Sequence, residues 1–403
     1  MKALSRITAL AALGAAMGVT IAVAADKGVS DTEVVFGHTA PYSGPASAYA
    51  TTGKALVAYM QMINDKGGIA GRQIKILSRD DQYSPPKAVE LTRQLVERDG
   101  VVGMVSVIGA ANNMAIRGYL NDRKVPHLFV ATGASEVAGY PDQFPFTVGW
   151  VPTYKTEAVV IGRHILETIE NPKVAIIAPN DDLGKDYITG LKVGLGDKAD
   201  SVIVGTQIYE TSTPTVNSDI ITLQGTGANV LVNFATPKFA AQAIKKAGEL
   251  GWKPQQYITL ASSSMQAVLA PAGLEFSQGI ISFQFIKDPT DPKWQNDEGF
   301  LAYKAFMEKY MPDVPIKDAT AVLGYNHGET LHRLLELVGT DLSRETLLEK
   351  ATNLKGVQLS MFLPGITLNT GPGDHIPVDC LQMAVFSGES WNSAGDLVCE
   401  DPK

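Results

Sequence analysis

The chain has 403 residues, 45% hydrophobic and 19% charged, with 42 acidic against 34 basic side chains and a net charge of −8. That balance excludes a polar disordered chain and argues against nucleic acid or an anionic membrane surface as partner. The length exceeds one ordinary core and points to two domains, and no apolar run past the N-terminus approaches the ~20 residues of a membrane span.

Residues 1–24 read as a secretory signal peptide rather than as part of the fold. Lys2 and Arg6 precede a short Ala-rich apolar run, and Ala22-Val23-Ala24 has the small-x-small form of a cleavage site. The two cysteines, Cys380 and Cys399, lack His or Cys neighbours at metal-ligand spacing. In an oxidising compartment an isolated pair is expected to form a disulfide closing the C-terminal segment; two buried thiols are the alternative.

Strand and helix alternate from residue 34 onward. Residues 34–36 form a short β-prone run, and 38–45 is a loop broken by two prolines and Ser43-Gly44. Leu56, Tyr59, Met60 and Ile63 fall on one helix face, Gly67-Gly68 ends that helix, and Ile74, Ile76 and Leu77 form a strand closed by Asp80-Asp81. Such a βαβ unit places its first loop at the carboxyl end of a strand, where open α/β sheets bind ligands.

A helix is predicted over 85–98, a doubly covered parallel strand over 101–108, a helix from Gly109 to about 121, and a strand over 125–131. The loops Gly109-Ala110-Ala111-Asn112 and Thr132-Gly133-Ala134-Ser135 put small residues at helix N-termini. There the free N–H groups and the positive dipole end favour an anion. Plain N-capping by Asn112 and Ser135 is the ordinary alternative.

The pattern breaks around 144–153, which marks a first crossover to a second lobe. Helices are predicted at 153–170, 185–196, 215–225 and 237–250, with strands at 173–178, 201–209, 229–234 and 256–261. A short helix near 264–272 leads to a return crossover at 279–285. Helices at 294–310, 319–338 and 343–354 then pack back on the first lobe, and the tail from Gly365 is β-like, with a strand at 381–386.

Several features resemble the leucine/isoleucine/valine-binding family, the type I periplasmic solute-binding proteins of ABC importers. They are Ser43-Gly44-Pro45, Tyr49, Ile63-Asn64, Gly67-Gly68-Ile69-Ala70-Gly71-Arg72, Asp80-Asp81 and Pro86-Lys87-Ala88-Val89. The resemblance spans nearly all of the chain after the signal peptide. It implies two doubly wound α/β, Rossmann-like lobes joined by a three-crossover hinge. The N-terminal lobe would comprise 25–149 plus 284–378, and the C-terminal lobe 150–283 plus 379–403. It also implies a periplasmic protein that uses no cofactor and works as a monomer with permease subunits.

The site implied by the resemblance joins both lobes. Backbone N–H groups around Gly109, Ala110 and Asn112, and around Thr132, Gly133 and Ala134, would hold a ligand carboxylate. Tyr42, Ser43, Tyr49, Trp150, Tyr154, Leu183, Thr236 and Phe283 would line the remainder, with Phe285 a further aromatic candidate. Departures from the family pattern bear on the ligand. Where an acidic residue pairs with the ligand ammonium in the leucine-binding branch, this chain has Lys238 or Phe239; a usual Tyr is Leu183; and hydroxyl positions are replaced at Gly109, Ala110 and Ala134. A buried ammonium without a carboxylate is costly. The expected ligand therefore has a carboxylate, an apolar or aromatic body and no α-amino group.

Other classes weigh less. A ligand sensor on the same fold has no sequence feature to separate it from an importer component. A hydrolase or oxidoreductase would need a nucleophile elbow or a dinucleotide fingerprint, and neither is present. His327 and His332 stand about 140° apart on a helix and do not share a face for a metal. The pairs Asp80-Asp81 and Asp181-Asp182 read as turn and cap residues.

Overall fold

The computed structural model describes residues 27–399; the expected signal peptide lies outside the described residues. The first α/β set comprises β1 Glu33–Ala40, α1 Ala50–Asp65, β2 Gln73–Asp80, α2 Pro85–Arg93, β3 Gly103–Val105, α3 Ala110–Asp122, β4 His127–Leu128 and the single turn α4 Ser135–Ala138. The second begins with α5 Tyr154–Thr168, β5 Val174–Pro179, α6 Asp182–Leu195, α7 Ala199–Val202 and β6 Ile203–Tyr209. It continues with α8 Asn217–Gln224, β7 Val230–Asn233, α9 Pro237–Glu249, β8 Gln255–Ile258, α10 Ala270–Ala272 and β9 Ile281–Gln284. Then come α11 Glu298–Tyr310, α12 Ala319–Val338, α13 Arg344–Ala351, β10 Cys380–Ser387 and β11 Ser390–Cys399.

Two sheets result. One is parallel, in the order β2-β1-β3-β4; the other runs β11-β10-β9-β8-β7-β5-β6, with β10 and β11 antiparallel and the rest parallel. The inner strands β5 and β7 are buried on both faces, in keeping with their mostly apolar sequences, whereas the edge strands β2 and β6 are partly exposed. The predicted strands 101–108 and 125–131 are shortened to Gly103–Val105 and His127–Leu128, with one isolated bridge further on between Ile108 and Ala131. Ser106 and Phe129 both take φ of 52°, which interrupts the ladder. The start of the predicted strand at 201 is helical, in α7, and β11 is a strand that the sequence reading did not resolve.

The chain passes between the sheets three times. Thr147 and Val148 still bond to the first sheet, and α5 begins six residues later beside the second. After β9, the carbonyl of Phe285 accepts from Leu363 N–H, and the chain turns back to place α12 against α1. Thr52 Oγ1 donates to the carbonyl of Thr320 there, 3.0 Å away. The segment before β10 docks on the first crossing, where Gly149 N–H donates to the His375 carbonyl at 2.8 Å.

Trp150 holds the crossings together. It is fully buried, its ring lies 3.9 Å from His327, 5.4 Å from Phe285 and 5.7 Å from Phe362, and its Nε1 donates to Thr330 Oγ1 at 2.8 Å. One apolar core accordingly runs from the first sheet through Trp150 and Phe285 into the second. The Cys380–Cys399 disulfide joins the first residue of β10 to the last of β11, as expected of the cysteine pair.

Candidate functional site

A cavity of about 70 Å³ lies where the carboxyl ends of the two sheets meet. One wall comes from the first lobe: Tyr49, Tyr83, Ile108, Gly109, Thr132 and, from α12, Leu323 and His327. The other comes from the second: Tyr154 and Glu157 of α5, Leu183 and Tyr187 of α6, with Leu260 and Leu381. Most of this surface is apolar, with tyrosine hydroxyls and one carboxyl set into it. No lysine or arginine belongs to the wall among the described residues.

Gly109, the residue before α3, lines the cavity and brings the N-terminus of that helix to one end of it. Its φ is 104°, a conformation open to glycine, and no side chain caps the helix. Asn113 holds the loop in place, its Nδ2 donating to the carbonyls of Val107 and Gly109 at 2.8 and 2.7 Å. Its Oδ1 therefore accepts from His127 Nε2 at 2.8 Å, which fixes the protonated nitrogen of that ring. Burial drives the His127 pKa down to about 3, so the imidazole stays neutral. The Tyr83 ring covers Gly109: a Cβ there would meet Tyr83 Cε2 at 2.5 Å.

The second small-residue loop is used differently. Ala134 N–H donates to Thr132 Oγ1 at 3.2 Å. Ser135 N–H and Oγ donate to Asp186 Oδ2, on α6 of the other lobe, at 2.9 and 3.0 Å. These N–H groups are occupied, because the loop is a joint between the lobes.

Aromatic rings build the far wall. Tyr154 stacks on Tyr187 with centroids 4.6 Å apart, and Tyr187 stacks on Phe234 at 4.6 Å. Glu157 is buried beside them, its carboxylate accepting from Tyr187 Oη at 2.6 Å and from Leu260 N–H at 2.8 Å. Burial pushes its pKa up to about 7, more than those two hydrogen bonds lower it. Across the cleft, the pKa values of Tyr49 and Tyr83 are raised well above their usual value, by burial first and then by nearby tyrosines and Asp181.

Of the residues singled out from the sequence, Tyr49, Gly109, Thr132, Tyr154 and Leu183 lie in the cavity wall. Others stand behind or away from it. Tyr42 bonds Ser78 at 2.6 Å, and Ser43 donates to Asp80 from its N–H and hydroxyl. Ala110, the first residue of α3, has its side chain buried in the core, and Asn112 is buried facing Asp81. Gly133 packs on the first crossing, its carbonyl accepting from Tyr154 N–H at 2.7 Å, and Ala134 follows it in the same joint. Thr236 pairs with Tyr209, while Trp150, Phe283 and Phe285 are core. Asp181 caps α6 through Gly184 N–H, in the role its sequence position implies.

Lys238 is exposed on α9 and Phe239 is buried in the core beside it; neither belongs to the cavity wall. The wall nevertheless contains an acid, Glu157, at a position other than the one where the leucine-binding pattern places it. It stood out by no signal, being one more glutamate in the first turn of an amphipathic helix.

Two α/β lobes closing around a tyrosine-lined cavity define a solute-binding protein rather than an enzyme. The family described as periplasmic binding protein matches residues 33–390. A Leu/Ile/Val-binding protein homolog 8 of Brucella abortus is 23% identical over 292 residues, 70% of each chain. Among solved structures, a branched chain amino acid ABC transporter protein from Thermus thermophilus with bound valine has a TM-score of 0.82 at 16% identity, covering 93% of this chain and 98% of its own. A fatty acid ABC transporter substrate-binding protein from Thermomonospora curvata has a TM-score of 0.78 at 18% identity, covering 94% and 95%. The chain belongs to the periplasmic binding protein family, and it has the fold of these binding-protein structures.

Proposed function

We propose that this protein captures a small carboxylate-bearing solute with an apolar or aromatic body in the periplasm and delivers it to the permease of an ABC importer. The observation that carries the reading is the interlobe cavity, with an uncapped α3 N-terminus at one end and stacked tyrosines at the other. The α3 N–H groups would hold the carboxylate, and Tyr49, Tyr83, Tyr154 and Leu183 would enclose the body. The lobes, 25–149 plus 284–378 and 150–283 plus 379–403, would close by hinge motion at the three crossings. The closed, monomeric protein would be the form the permease meets.

An ordinary branched-chain amino acid binder is the second reading. Glu157 favours it, since an ionised carboxyl in the wall would suit a ligand ammonium. A thermal-shift screen separates the two. A ligand at 100 times its Kd adds about 2.7 kcal/mol of stability if it binds only the folded state. Raised melting temperatures with amine-free acids such as butanoate, benzoate or phenylacetate support the proposal; response to leucine and valine alone overturns it. A sensor role is tested by deleting the gene, since uptake that survives the deletion excludes an importer component.

A further inference from the structure

Glu157 is the acidic residue in a cavity wall that holds no lysine or arginine among the described residues. It sits in the first turn of α5, where the helix dipole favours its anion, yet it is only 4% exposed. Both its oxygens accept hydrogen bonds, from Tyr187 Oη and Leu260 N–H, and no cation offsets its burial. The groups around it are all neutral or acidic. Tyr154 shares α5 with it; Tyr187, and Asp181 at the start, come from α6; the turn at Leu260 brings only a backbone N–H. Across the cleft stand Tyr49, Tyr83 and His327, and burial holds His327 neutral with a pKa of about 3.

In a cavity of about 70 Å³, a ligand carboxylate at the α3 end faces Glu157 in the opposite wall with little water between them. Two like charges so close, screened by little water, do not both stay ionised. On the reading of the cavity as a carboxylate site, on which this step rests, we infer that Glu157 is a proton-linked specificity residue: the cavity accepts a carboxylate only with a proton on Glu157. The protonated carboxyl is neutral toward the anion and offers its O–H as a hydrogen-bond donor. An ammonium-bearing ligand makes the opposite demand and binds the ionised form. The proton on Glu157 thus sorts acids from amino acids at one position.

The test is the pH dependence of binding, from pH 5.5 to 8.5, for wild type and Glu157→Gln. Butanoate, benzoate and phenylacetate are the probes, with Kd and proton uptake read by calorimetry in buffers of different ionisation enthalpy. Gln copies the shape and neutrality of the protonated acid. The wild-type Kd is expected to be flat below about pH 7 and to rise about tenfold per pH unit above it, with close to one proton taken up. In Glu157→Gln the Kd stays at the wild-type low-pH value throughout. Binding that is pH-independent or tightens with pH overturns the inference, as does loss of binding in Glu157→Gln at every pH. A slope that survives in Glu157→Gln also overturns it, by assigning the proton to another buried acid whose pKa is raised, such as Asp181 at the start of α6 or Asp288. If no acid binds either form, the carboxylate reading fails and this inference falls with it; if acids bind without the slope, only the inference fails.

Discussion

Asp186 Oδ2 accepts two hydrogen bonds from one residue of the opposite lobe, the N–H of Ser135 at 2.9 Å and its hydroxyl at 3.0 Å. Ser135 opens α4 beside the first sheet, and Asp186 lies on α6 beside the second. The pair therefore forms only when the lobes are together. Hydrogen bonds to a charged acceptor contribute about 1.5–3 kcal/mol each when buried, and less at this half-buried position. Asp186→Ala should weaken ligand binding roughly tenfold, about 1.4 kcal/mol, and should expand the ligand-free protein. Calorimetry and small-angle scattering check this; an unchanged Kd and radius of gyration would show that the pair does not bias closure.

Gly109 and Tyr83 act as one unit. Gly109 has φ 104°, and an added Cβ would strike the Tyr83 ring. Gly109→Ala should cost about 1–3 kcal/mol of stability from backbone strain and lower ligand affinity at least tenfold by displacing Tyr83. The double variant Gly109→Ala with Tyr83→Ala should recover part of the stability, since the clash is gone and the strain remains. Strict additivity in the cycle would mean the two residues do not touch.

The cavity wall was legible in the sequence only where the local pattern itself dictates the site. Gly109 and Thr132 follow apolar strands and open helices, and Tyr154 and Leu183 begin helices just after a crossing or a strand; such positions are fixed by βα geometry. Tyr83 was not legible because it turns inward at φ 58° from a loop, a conformation that composition does not signal. Glu157 and His327 lie within helices, and only tertiary packing decides that their faces meet the cleft. Trp150 and Phe283 fall beside the cleft in sequence but were drawn into the core. The broad architecture was easier, since long parallel strands and periodic helices leave few arrangements.

Stability should depend on pH in two opposing ways. His38, His127 and His327 have pKa values lowered by burial from 6.5 to about 4, 3 and 3. The unfolded chain binds those protons more tightly, so their contribution is full above pH 6.5 and is lost as pH falls toward 4 and 3. Glu157 and Asp288 are raised, from 4.5 to about 7 and from 3.8 to about 6. Their contribution is full at low pH and is lost as pH rises through those values. Glu157→Gln should therefore become more stable relative to wild type between pH 4.5 and 7, by up to about 3 kcal/mol. Melting temperatures across that range check the sign; a constant difference would contradict it.

The Cys380–Cys399 disulfide closes a loop with a sequence separation of 19 and ties β11 to the strand that carries Leu381 into the cavity wall. A loop of that size corresponds to up to about 3 kcal/mol in the chain-entropy account, less here because β10 and β11 already pair. Replacing both cysteines by alanine should lower the melting temperature by several degrees and weaken ligand binding by less than tenfold. Unchanged melting would show that the hairpin is held without the bond.

The measurement that tests the central claim most directly is a crystal structure of the protein with a bound amine-free acid, benzoate first. The account predicts the carboxylate oxygens within about 3 Å of the N–H groups in the first turn of α3, and the ring between Tyr154, Tyr83 and Leu183. A ligand seated with a cationic group on Glu157, or with its carboxylate away from α3, would contradict it.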